Sequence, residues 1–136
     1  MKVMFVAGFA PIVADPASAK LLYVEQLGLP LEGVSGDYVA TEKVDGVKHL
    51  GVWPLADAAE SCFGSSVWPE DLPVPQATIE FEVDDEEAAA AELEAAGHSL
   101  VHPAKTEPWG QSIARLLSGD GLLVGVTHTP WLHSDE

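Results

Sequence analysis

Positive charge is scarce in this chain. Arg115 and five lysines stand against 22 acidic residues, a formal net charge of −16, so the clustered cations that a phosphate backbone needs are missing and nucleic acid is disfavoured as a partner. The charge suits a cationic partner, or solubility alone. Cysteine is nearly absent: Cys62 stands alone, which excludes an internal disulfide and a cysteine-based metal cluster and suits the cytoplasm. No apolar run reaches membrane-spanning length, so no membrane is expected as a partner. Lys2, Val3–Val13 and Ala17-Ser18-Ala19 imitate a secretory signal with its cleavage site. Pro11 and Asp15 interrupt that pattern, and the segment reads better as a strand followed by a helix. Phosphate-loop glycine patterns are also missing.

What is present is enough for one core. The chain has 136 residues, 47% of them hydrophobic, the size of a single domain or of two small modules sharing a core. Val3–Val13 predicts a buried strand that bends or approaches something closely at Gly8. Asp15 caps a helix with Pro16 at its first position, Leu21, Leu22, Val24 and Leu27 give it an apolar stripe, and Gly28 stops it. Gly33–Gly36 reads as a turn. Tyr38–Val44 and Val47–Trp53 form a hairpin across Asp45-Gly46, with His49, Gly51 and Trp53 on one face. Pro54–Cys62 reads as a short helical turn, and Phe63–Pro75, with three prolines, as a loop.

The second half repeats this plan. Gln76–Val83 alternates, with Ile79, Phe81 and Val83 on one face and Thr78, Glu80 and Glu82 on the other. Acids from Asp84 to Glu87 begin a helix that ends at Gly97 and whose buried face is mostly alanine. His98–His102 opens another strand. Gln111–Leu117 and Leu122–Thr127 then form a hairpin around Ser118-Gly119-Asp120-Gly121. Asp15 to Gly28 and Asp84 to Gly97 each span 13 positions, offset by 69. Strand, helix and antiparallel run therefore occur twice, as two copies of one supersecondary unit. The expected fold is α+β, with helices outside curved mixed sheets and a cavity where the sheet face stays uncovered. Residues 1–136 form one domain: module one about 1–68, a linker about 69–75, and module two about 76–130. The tail from Leu132 is expected to fray.

In this order and spacing the chain resembles the vicinal oxygen chelate superfamily of glyoxalases, bleomycin-resistance proteins and extradiol dioxygenases, built from paired βαβββ modules. The resemblance covers nearly the whole chain. It rests on Asp15–Leu29 (DPASAKLLYVEQLGL), similar to the family's first helix, and on Glu107-Pro108-Trp109-Gly110 with Asp120-Gly121, similar to the Pro-Trp-Gly loop and final hairpin of bleomycin-resistance proteins. Catalytic members hold a divalent metal on the opening and closing strands of each module. Carried over by spacing, those positions fall on Gly8, on Ala77 or Thr78, on Gly125, and on Ala56. A metal needs three or four converging donors, so no metal and no cofactor are expected at this set. Glycine in place of a chelator also opens room for a bulky guest.

Trp109 is the first candidate for ligand contact, since the resemblance implies that the Pro-Trp-Gly tryptophan stacks on a flat drug; anchoring its own loop is the plainer role. Trp53, with His49, lines the cavity if its face is concave. Tyr38 is a second stacking candidate, and Trp131 lines the site, covers the sheet or closes a dimer. Glu80 and Glu82 would attract a cationic guest or simply face solvent. Arg115 is expected to pair with a carboxylate. The five histidines do not fall at metal-ligand spacing, and Cys62 has no recognisable histidine partner.

The resemblance implies a homodimer, with module exchange open, that binds and sequesters an aromatic, possibly cationic antibiotic of the bleomycin, mitomycin or enediyne class without turnover. One alternative is a metal-dependent glyoxalase-like lyase, isomerase or dioxygenase with shifted ligands such as Gln76, Glu80 or His49. Another is a subunit that only associates with a protein partner, whose cleft its own side chains would close.

Overall fold

The structure, a computed structural model, describes residues 1–133. In chain order the elements are β1 (Val3–Val13), α1 (Pro16–Lys20), β2 (Glu32–Ser35), β3 (Tyr38–Thr41), β4 (Leu50–Pro54) and α2 (Leu55–Phe63). They are followed by β5 (Ala77–Val83), α3 (Glu86–Ala95), β6 (Leu100–Thr106), β7 (Ser112–Leu117) and β8 (Leu122–His128). The strands make one curved, eight-stranded sheet in the order β2-β3-β4-β1-β5-β8-β7-β6. β4 returns parallel to β1 and β8 parallel to β5; all other pairings are antiparallel. Each half is thus a strand, a helical crossover and a meander that returns beside the first strand, and the halves meet where β1 pairs with β5. There Gly8 lies opposite Glu80 and Phe9 opposite Ile79, and a register shift between Val6 and Gly8 provides the irregularity expected at this glycine.

The helix ends explain the repeat more closely. Asp15 accepts a hydrogen bond from Ser18 N at 3.2 Å and caps α1. The helix continues as a π turn over Leu21–Gln26 and stops at Gly28, φ +67°. The second cap is Asp85, which accepts from Ala88 N at 3.0 Å, and not Asp84 as the offset implied. Caps are therefore 70 apart while the stops Gly28 and Gly97 are 69 apart. The first copy holds one extra residue, and the wider π turn absorbs it. The changed angular step also moves the apolar stripe: Leu21, Leu22 and Leu27 are exposed, and Ala19 with Tyr23 packs on Val39 and Val52 instead.

Further departures are local. Gly33–Gly36 was expected as a turn, but its first three residues lie in an edge strand, Glu32–Ser35, paired with β3, and only Gly36 is in a turn. The Asp45-Gly46 hairpin keeps the expected register, Val39 opposite Val52 and Thr41 opposite Leu50, but its ladder stops there. Between α2 and β5 the chain has no regular element, and Trp68 is buried with its ring edge-on to Phe63. Leu132, where fraying was expected to begin, closes a 3-10 turn over Pro130–Leu132; residues 134–136 of that tail lie outside the described residues. No helix among the described residues is long and apolar enough to cross a membrane.

α1 and α3 lie on the convex side. α3 sets Ala89 and Ala90 against Val83, Ala114 and Val126, the close approach that an alanine face permits. α2 is the exception to the outside placement: Ala58, Ala59 and Cys62 pack with Trp53, Ala10 and Leu123 on the concave side. It closes one end of the concave face.

Two glycines mark equivalent places in the halves. Gly51 lies opposite Ala40, and Gly125 opposite Arg115. Two residues back on the neighbouring strand, Tyr38 and Ile113 fold over them, so that an added Cβ would stand 2.9 Å from Tyr38 Cε1 or 2.7 Å from Ile113 Cδ1. Gly125→Ala is expected to destabilise the fold by roughly 1–3 kcal/mol through overpacking, measured by urea denaturation. Adding Ile113→Val, which removes the clashing Cδ1, recovers part of that loss.

Candidate functional site

The concave face holds a cleft of about 820 Å³ that reaches across both halves. Gly8 and Phe9 of β1 and Thr78 and Glu80 of β5 supply its floor, Asp57, Glu60 and Ser61 of α2 close one end, and Thr129, Trp131 and Leu132 bound it from the chain's C-terminal turn. Such a cavity is the default ligand site of a small domain. It is open, whereas a subunit serving only a protein partner was expected to fill it.

Trp109 owes its position to a three-residue hairpin loop. Glu107 O accepts from Gly110 N at 2.9 Å, and Glu107 N donates to Gln111 O at 2.7 Å. Proline at the second turn position and Gly110 at φ +97° suit this loop, in which the last residue takes a left-handed conformation. The indole is 50% exposed, and its Nε1–H donates to Gln111 Oε1 at 2.9 Å. Gln111 Nε2 donates in turn to Glu80 Oε1 and to Thr127 Oγ1, both at 2.9 Å. The ring is thereby oriented from the sheet while half of the residue stays exposed.

The other expected residues divide. Trp131 lines the cleft and is half-exposed. Trp53 also lines it but is buried, and the guanidinium carbon of Arg115 lies 5.3 Å from its ring centroid, so one face is already taken. Tyr38 and His49 meet in the cleft, 2.6 Å between phenol oxygen and Nε2. Burial first, then Glu80 and Asp57, pushes the Tyr38 phenol well above its ordinary range, so it stays protonated. Glu82 does not reach the cleft: it is fully buried, accepting from Thr129 N at 2.7 Å and bonded to His133 Nε2 at 2.5 Å. The C-terminal turn covers this end of the β5 row.

The superfamily metal positions hold no donor set. Register makes Gly51, not the exposed Ala56 on α2, the counterpart of Gly125. The four positions are thus Gly8, Thr78, Gly51 and Gly125, and the Thr78 hydroxyl is committed to Leu123 O at 2.9 Å. A divalent ion does not fit there. Nor is Gly125 room for a guest, since Ile113 fills it. Of the shifted ligands, Glu80 and His49 line the cleft, while Gln76 is exposed and does not. Histidine spacing was also misleading: folding brings His128 and His133 to Glu82.

Sequence reasoning missed Gln111, Glu107 and His102. Arg115 pairs as expected with a carboxylate: Nη1 donates to Glu107 Oε1 at 3.0 Å, and Lys105 lies 3.7 Å from the same oxygen. Nη1 also donates to His102 Nε2 at 3.2 Å, and His102 Nδ1–H donates to Pro103 O at 2.7 Å. Both ring nitrogens are thus used by a neutral imidazole. Burial, followed by the charges of Arg115 and Lys105, holds His102 below its ordinary value of 6.5. With these cations committed to Glu107, the cleft keeps Glu80, Asp57 and Glu60 as its acids. Burial, then Asp37, raises the Asp57 carboxyl.

No family model matches the sequence, and no curated protein matches it. Solved structures do. A glyoxalase/bleomycin resistance protein/dioxygenase superfamily member from Vibrio splendidus 12B01 aligns over 94% of this chain and 100% of its own, with TM-score 0.58 and 13% identity. The chain has the fold of that superfamily. Streptomyces coelicolor methylmalonyl-CoA epimerase in complex with 2-nitronate-propionyl-CoA covers 95% of this chain and 96% of its own, with TM-score 0.59 and 14% identity. An NAD-dependent benzaldehyde dehydrogenase from Legionella pneumophila covers 88% and 96%, with TM-score 0.56 and 14% identity. At such identities the superfamily fold is what these chains share, and function has to be argued from the site.

The His102 arrangement makes a test. An unfolded histidine titrates near 6.5 while the folded one resists protonation, so the unfolded state takes up more protons below that pH and stability falls as pH drops through it. Unfolding free energies of the wild type should decline over this interval, and those of His102→Gln should decline less.

Proposed function

We propose that this chain binds a planar, cationic small molecule in its cleft and releases it unchanged, a sequestration function toward antibiotics of the bleomycin, mitomycin or enediyne class. The observation that carries this reading is Trp109: a half-exposed indole at the cleft, oriented through Gln111, which is itself bonded to the Glu80 carboxylate. A flat ring stacked on such an indole gains about 0.5–1.5 kcal/mol beyond its area burial. Trp131 supplies a second half-exposed ring on the same cleft. Glu80, Asp57 and Glu60 favour a positive group on the guest, since the two nearby cations are engaged by Glu107.

The test is quenching of tryptophan fluorescence by a panel of aromatic DNA-damaging antibiotics. Saturable quenching at about micromolar drug, roughly −8 kcal/mol, is expected for the wild type. Trp109→Ala should weaken it several-fold, and Glu80→Gln should weaken cationic drugs more than neutral ones. Absence of binding by every drug in the panel would overturn the reading.

A second reading is turnover of a superfamily type, as a glyoxalase-like lyase, an isomerase or a dioxygenase. It draws on Glu80 and His49, two titratable groups lining one cleft, and on the epimerase among the structural neighbours. Product formation from a methylglyoxal–thiol adduct or a catechol in the presence of divalent metal, lost in Glu80→Gln, would favour it over sequestration.

A further inference from the structure

The C-terminal turn gathers three side chains that neither the cleft nor its guest uses. β5 carries Glu82 beneath the turn, fully buried. β8 ends at His128, and Pro130 then starts the 3-10 turn in which Leu132 N donates to Thr129 O at 3.0 Å and His133 N to Pro130 O at 3.1 Å. This fold-back stacks the His133 ring on that of His128, with centroids 4.9 Å apart. Glu82 Oε2 lies 2.5 Å from His133 Nε2 and 3.9 Å from His128 Nδ1, and all three donor atoms fall within 4.8 Å of one another.

We propose that Glu82, His128 and His133 bind a first-row divalent cation of the zinc class. The donor chemistry points there: two imidazoles and one carboxylate suit zinc, cobalt or nickel, whereas calcium and magnesium ask for oxygen shells. Donors about 2.0–2.2 Å from a tetrahedral ion stand roughly 3.4 Å apart, between the separations of 2.5 and 3.9 Å seen here. Small side-chain adjustments bring the set to that spacing.

A second observation is independent of the histidines. Glu82 Oε1 is buried and has no hydrogen-bond partner among the described residues, although a buried polar atom is costly to leave unsatisfied. A cation at the carboxylate meets that need. Glu82 Oε2 is held by the Thr129 backbone N–H at 2.7 Å, the kind of outer contact that orients a metal-bound carboxylate. The His128 side chain is 41% exposed, which leaves the ion a route from solvent and room for water in the remaining coordination position. The site lies beyond Glu80 on β5 and shares no residue with Gly8, Thr78, Gly51 or Gly125, the positions that the resemblance implies for a metal. An ion here fastens β5, the end of β8 and the turn bearing Trp131 to one another.

The test uses the full chain stripped of metal by a chelator and dialysed. Calorimetric titration with zinc and visible absorption on adding cobalt should both report a single saturable site with nitrogen and oxygen donors. Zinc should also raise the melting temperature. His128→Ala, at an exposed position that should leave folding intact by circular dichroism, should weaken zinc by more than about tenfold, since even outer-shell partners of metal ligands are worth that much. Glu82→Gln should do the same, while His98→Ala, on the exposed end of the α3 connection, should bind as the wild type does. Failure of the wild type to bind zinc saturably would overturn the proposal, as would undiminished binding by both His128→Ala and Glu82→Gln.

Discussion

The antiparallel ladder between β1 and β5 is the constraint on which the rest of this molecule depends. Each half alone is a four-stranded sheet with a helix on its convex face and a concave face that α2 covers only at one end. Pairing β1 with β5 joins these two faces into one continuous concavity, and it does so through the most central strands of the sheet. It also sets Gly8 against Glu80, so that the floor of the cleft combines a residue without a side chain and a carboxylate. The cleft is a property of the pairing and belongs to neither half.

On that floor the two copies have the geometry of the superfamily fold, and glycine or a committed threonine stands at the positions compared for a metal. Gly51 and Gly125 sit at equivalent points of the closing strands, and in each half a side chain from the neighbouring strand has moved over the glycine: a tyrosine in one, an isoleucine in the other. That difference makes the cleft asymmetric. The Tyr38 side is polar, through its bond to His49, whereas the Ile113 side is filled. The two halves thus present unlike surfaces to the cleft, an arrangement that permits one fold to host many functions.

Beneath the open surface lie two buried polar networks. One runs from the Trp109 indole through Gln111 to Glu80 and Thr127, and the other joins Arg115 to Glu107 and His102. Networks of this kind hold their members in one arrangement because breaking a bond strands a buried partner. Arg115 is not fully satisfied by hydrogen bonds, as its Nε and Nη2 have no such partner among the described residues; the Trp53 ring beneath the guanidinium provides part of the compensation. Glu107 belongs to the second network and also opens the loop that carries Trp109, so both networks fix the same platform.

Much of the fold was legible in the sequence by itself. Asp15 with Pro16, the glycine stops, the Asp45-Gly46 and Asp120-Gly121 turns and the alternation of β5 are local signals, and local backbone chemistry is enough to read them. The Pro-Trp-Gly pattern singled out Trp109, and alternation put Trp53 and His49 on one face of the sheet without saying that this face is concave. Tertiary structure alone decided the rest. Whether a residue at the right parity lies open, like Glu80, or sealed, like Glu82, depends on which distant segment covers it. Whether a glycine is a void or a seat for Ile113 depends on the neighbouring strand, and the π turn reset the stripe of the first helix. The meeting of His128, His133 and Glu82 depends on a turn folding back over a strand 46 to 51 positions earlier in the chain. Local pattern records the faces of single elements; burial and convergence arise only when elements from both halves pack, and their spacing in sequence carries no trace of that distance.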